Sequence, residues 1–159
     1  MTSVDLLSLI AELAIALVAA AGIVTAIGGR DRDYTATDRA RIRSLIIVSA
    51  TPLAVALLGL ATLSAEVQST RAWSIVSFAY IALGGARIAY TLPEFLRIPD
   101  DQSPSSRPWI VILLINTGVF ALVLYNALML TAFWPIFTAC AFELLVGVYL
   151  VLRLLLCSR

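Results

Sequence analysis

Five apolar stretches alternate with shorter polar connections along the chain, at 6–27, 44–63, 73–92, 109–130 and 135–156. Each is close to the roughly 20 residues that a helix needs to cross a hydrocarbon core. The last two belong to one apolar run that starts at Trp109. As a single helix that run would measure roughly 70 Å, more than twice the core thickness, so it must turn back. The corner falls at Thr131-Ala132-Phe133-Trp134-Pro135. Pro135 suits the first turn of the returning helix, where a missing N–H costs least. The pattern predicts an all-α integral membrane protein. It is a bundle of about five transmembrane helices in a single transmembrane domain over residues 1–159.

Composition supports lipid as the solvent. Hydrophobic residues make up 61% of the chain and charged residues 13%, and mean hydropathy is +0.98. A soluble domain carries roughly 45–50% apolar residues, and a small one leaves much of its surface wet. The surplus has no dry protein interior to occupy.

The basic residues orient the spans. Arg30, Arg32, Arg39, Arg41 and Arg43 lie between the first and second spans, and Arg97 and Arg107 between the third and fourth. Arg153 and Arg159 mark the C-terminal end, whereas the opposite side carries only Arg71. The positive-inside rule then puts connections 28–43 and 93–108 and the C-terminus in the cytoplasm, with the N-terminus outside. Trp73, Trp109 and Trp134 fall at span ends, where amphipathic rings favour the headgroup region. Met1, Thr2, Ser3 and Asp5 offer no positive region before the first apolar run, which reads as an uncleaved span. Cys157-Ser158-Arg159 is one residue too short for a prenylation box. All eleven basic residues are arginine. That fits either GC-rich codon usage or selective phosphate and carboxylate recognition, and the expected location is a bacterial inner membrane.

Gly28-Gly29 closes the first helix, and Thr35-Ala36-Thr37-Asp38 has capping-box spacing for the second. That second helix then carries Arg39, Arg41 and Arg43, read either as topology determinants or as an anionic-lipid or partner contact. The third connection holds Pro93, Pro99, Pro104 and Pro108 and reads as an extended connector. Small residues recur at helical spacing: Ala79, Ala82, Ala86 and Ala89 with Gly85 nearby, and Ala16, Ala19 and Ala20 beside Ile23. Such faces let helix backbones approach closely in lipid.

Several chemistries drop out. The chain has no histidine, which removes imidazole-based catalysis, proton relays and His-ligated metals. Cys140 and Cys157 share one predicted helix at a separation of roughly 25 Å and cannot bridge each other. No metal-ligand spacing is present, so no metal and no cofactor is expected. A net charge of +1 gives no field for nucleic acid. Cys140 and Glu143 are neighbours at i, i+3, but no base or oxyanion donor accompanies them, so no enzyme is expected.

What remains is ionisable groups inside spans, which are candidates by default: Glu12, Arg87, Glu143 and, nearer an interface, Arg153. Asn116, Asn126 and Thr117 add neutral polarity. Glu12 sits among Ser8, Ala16 and Ala19, and Glu143 between Ala139 and Gly147, so both carboxylates are expected to face the bundle. Depth allows three arrangements. Arg87 pairs with Glu143; Arg87 snorkels to the interface beside a protonated Glu143; or Glu12 and Glu143 form a conducting or transporting site. A membrane-embedded glutamate flanked by small residues over Leu9–Ala16 resembles the first helix of small multidrug resistance transporters. That family has four spans and an aromatic-lined substrate helix, so the resemblance stops at Glu12. The functional expectation is a non-enzymatic accessory, assembly or sensing subunit, with a membrane-protein partner or its own oligomer. The alternative is a small oligomeric channel or proton-coupled transporter built on Glu12 and Glu143.

Overall fold

The computed structural model describes residues 2–28, 36–95 and 106–156. Among them the chain forms α1 (Ser3–Gly28), α2 (Ala36–Ser64), α3 (Ser69–Phe95), α4 (Ser106–Tyr125) and α5 (Phe133–Leu156), with no strand. A π-helical turn, Asn126–Leu130, continues α4. Among the described residues, five helices are long and apolar enough to cross a membrane. The helices overrun the apolar stretches, because hydropathy marks only the apolar part of a continuous helix. Thus α1 starts at Ser3, and α3 continues through Pro93 to Phe95.

Both described turns use left-handed residues. After α2, Glu66 takes φ 56°. The Val67 N–H reaches the Thr62 carbonyl at 3.2 Å and the Glu66 N–H reaches Leu63 at 3.2 Å, the pairing that satisfies the last carbonyls of a helix. Before α5, Thr131 takes φ 46°. The corner is therefore only Thr131-Ala132, and Phe133, Trp134 and Pro135 already belong to the first turn of α5. Pro52, buried within α2, removes one backbone donor.

Helices α2 and α5 form the centre of the bundle. α1 lies along both, α3 packs on α2, and α4 bridges α3 and α5. The main core joins Leu7, Ile10 and Ala14 of α1 with Val55, Val76, Val123 and Ile136 from the other four helices. A smaller cluster of Ala21, Leu45 and Leu150 lies further along α1. Close approach is local to a few glycines. A Cβ on Gly147 would stand 3.0 Å from Leu17 Cδ1, and one on Gly59 3.0 Å from Leu7 Cδ1.

Three packing expectations need correction. Ala82, Gly85, Ala86 and Ala89 of α3 are exposed and Ala79 is half-buried; Trp73, Val76, Ser77 and Tyr80 face inward instead. On α1, Ala16, Ala19 and Ile23 are exposed and Ala20 is half-buried, because Leu7, Ile10, Ala14 and Ala21 supply the buried side. Both small-residue faces lose to stripes that bury larger side chains. Trp73 is 6% exposed and packs on Phe133 at 5.0 Å between ring centroids, so it fills the core. Trp134, at 53% exposure, does face outward. The side chains of Arg39, Arg41 and Trp109, residue Cys157 and connections 29–35 and 96–105 lie outside what is described.

Candidate functional site

Glu143 occupies the middle of the inward stripe of α5. Ile136, Ala139, Cys140, Leu144 and Leu150 are buried on the same side, at the three- and four-residue spacing of one helical face. The carboxylate is therefore carried into the bundle, and the residue is 1% exposed. Opposite it, α3 presents Ser77, Tyr80, Gly84 and Arg87 along one face. Helical side chains lean toward the N-terminus of their helix, so Arg87 reaches back toward the level of Tyr80. Gly84, one turn before Arg87, has no side chain on that path. The space there is taken by the Phe120 ring of α4, which also packs on Tyr80 at 5.7 Å.

Both donors converge on one oxygen. Arg87 Nη1 donates to Glu143 Oε1 at 2.7 Å and Tyr80 O–H donates to the same atom at 3.0 Å. The ion-paired side chains are 11% and 2% exposed. Glu143 Oε2 is buried and accepts no hydrogen bond from a described residue. A carboxylate withdrawn this far from water requires a compensating charge, and Arg87 supplies it. Cys140, one turn before Glu143, is a buried free thiol. No group of three or more His, Cys, Asp or Glu residues among the described residues is placed to hold a metal. The arrangement can clamp α3 to α5, and it leaves one carboxylate oxygen able to take a proton. It offers no activated nucleophile.

A second polar cluster lies one turn toward the N-terminus of α3. Asn126 is fully buried. Its amide donates to Ser77 Oγ and to the Ala132 carbonyl, both at 2.9 Å, and its Oδ1 accepts the Ala132 N–H at 2.9 Å. One side chain thus satisfies both backbone groups of a turn residue and ties the turn to α3. Ser74 Oγ adds a bond to the Ala127 carbonyl at 2.8 Å.

The other candidates are dispersed. Glu12 is exposed, which overturns its expected inward direction. At 100° per residue it lies roughly 160° from the middle of the Leu7, Ile10, Ala14 stripe, on the opposite side of α1. The structure therefore brings Arg87 to Glu143 and leaves Glu12 apart from both. Asn116 is half-buried, with Oδ1 unbonded. Thr117 is exposed and bonds the Leu113 carbonyl at 2.9 Å. Arg153 Nη1 donates to Tyr149 Oη at 3.0 Å, and Arg43 lies 4.1 Å above the Tyr90 ring. Sequence reasoning missed Tyr80 and Ser77. The available signal was their i, i+3 and i, i+7 relation to each other and to Arg87, a polar row on an otherwise apolar helix. No family model, curated protein or solved structure matches the chain.

Proposed function

We propose that the chain is a multi-pass protein of a bacterial inner membrane, N-terminus outside and C-terminus in the cytoplasm. In this reading it is non-enzymatic, acting through helix–helix contacts as an accessory, assembly or sensing subunit. One observation carries it: the only described ion pair between helices is closed inside the bundle, whereas the small-residue faces of α1 and α3 point outward. In lipid, helices associate through close packing at small residues and through polar contacts, because the solvent is as apolar as leucine. Faces spent on the chain's own packing would leave nothing for a partner; these are left over. Arg39, Arg41 and Arg43, at the cytoplasmic start of α2, would add contacts to anionic headgroups or to the same partner.

A conducting or proton-coupled reading is favoured by the bare Oε2 of Glu143. The two separate in proteoliposomes under an imposed proton gradient. The interaction reading expects no flux above protein-free vesicles. Flux that disappears in Glu143→Gln, with the helices intact, would replace it with the transport reading.

A further inference from the structure

Glu12 is the residue that the bundle leaves unexplained. It lies well inside the 24-residue apolar segment Ser3–Ala26, is exposed, and accepts no hydrogen bond or ion pair from a described residue. By helical rise it sits roughly 14 Å from the start of α1, too deep for a short glutamate side chain to reach water with ease. Around it the surface is low: Ala16 and Ala19 are exposed and Ser8 is half-buried. Leu9, Ile15 and Ile23 form the apolar margins, at 40%, 55% and 59% exposure. A carboxylate in hydrocarbon is costly unless it meets an opposite charge, and the small residues beside it allow a helix backbone to come close.

Charge decides what that helix is. Among the described residues, a second copy of this chain offers no free cation at this depth: exposed Arg71 stands at the start of α3, roughly 10 Å nearer the outer end than Glu12. Arg87 is committed to Glu143, and Arg153 is bonded to Tyr149 near the far end of α5. Two copies meeting symmetrically on this face would bring Glu12 against Glu12, like charge on like charge. We infer that the outer face of α1 is a docking surface for a transmembrane helix of a different protein, one that carries a lysine or arginine within its span opposite Glu12. This rests on the interaction reading above and names its partner by chemistry.

The test uses the full chain in lipid vesicles with labelled host peptides, each one leucine–alanine transmembrane helix bearing Lys, Leu or Glu at a central position. Energy transfer between peptide and protein is followed on dilution with lipid. The Lys peptide is expected to associate about tenfold more tightly than the Leu peptide, in keeping with a good interhelical polar contact in lipid. The Glu peptide should gain nothing. Glu12→Gln should remove the preference for Lys, and Glu12→Asp should keep most of it. Ala16→Leu should weaken association by crowding the face. Because Glu12 has no partner among the described residues, these variants are expected to keep wild-type helix content, which circular dichroism checks. Equal binding of Lys and Leu peptides, or a Lys preference that survives Glu12→Gln, overturns the proposal. Glu12-dependent transfer between labelled copies of the chain itself also overturns it, and assigns the face to a homo-oligomer. Flux dependent on Glu143 with the Lys preference intact would remove the interaction reading while leaving this surface in place. Neither flux nor preference would remove the surface alone.

Discussion

The Glu143 carboxylate and the Arg87 guanidinium form a pair whose members are unequal in what their loss exposes. Removing Arg87 leaves a buried anion held by one tyrosine hydroxyl; removing the charge of Glu143 leaves an arginine long enough to move toward the headgroups. Arg87→Ala is therefore expected to destabilise the bundle more than Glu143→Gln, by about 3 kcal/mol against about 1–2 kcal/mol. The double variant should lose less than the sum, and reversible unfolding in mixed micelles measures all four corners of the cycle. Additive losses would show that the two side chains do not interact. Asn126 yields a second prediction. Asn126→Ala leaves both backbone groups of Ala132 without a partner and removes the bond that Ser77 Oγ accepts, while the Ser77 hydroxyl still donates to the Trp73 carbonyl at 2.7 Å, so it should cost about 2–3 kcal/mol in the same assay. Asn126→Asp keeps the acceptor for the Ala132 N–H but loses both donated bonds, and should recover only part. The ionisable candidates could be read from the chain because a charge in an apolar run stands out. Their partners could not. Tyr80 and Ser77 are ordinary span residues until α5 and the turn before it are placed against them, and Ala132 offers only backbone.

At the scale of helices, apolar length and the need to fold back a run of roughly 70 Å fixed how many helices form and where they reverse. Which side of each helix turns inward was not legible, because every side of a span is apolar and periodicity carries little contrast. Alanine stripes then mislead: on α1 and α3 they lie outward, and the tight contacts are made by isolated glycines. Gly84 and Gly85 show the difference within one helix. A Cβ on Gly84 overlaps the Phe120 ring, whereas one on Gly85 meets nothing within 4 Å. Gly84→Ala should cost about 1–3 kcal/mol by forcing Phe120 away from Tyr80. Gly85→Ala should be neutral, or stabilising by up to about 1 kcal/mol, as alanine restricts the helix less than glycine. Thermal unfolding in one detergent compares the two directly. Equal effects would mean that α3 and α4 are not packed as described.

For the whole molecule, the membrane reading and its orientation support everything proposed about depth. Arg87 and Glu143 are a costly pair, and Glu12 an unsatisfied charge, only if lipid surrounds the helices. In the proposed orientation, which follows from the arginine distribution, the start of α2 lies on the cytoplasmic side and the turn between α2 and α3 outside. The most direct test is accessibility of single thiols in intact cells, in a background with Cys140 and Cys157 replaced by alanine. A membrane-impermeant maleimide should modify Gln68→Cys in intact cells, and Ala40→Cys only after the inner membrane is opened. Modification of Ala40→Cys in intact cells, or protection of both thiols until lysis, would contradict the proposed topology.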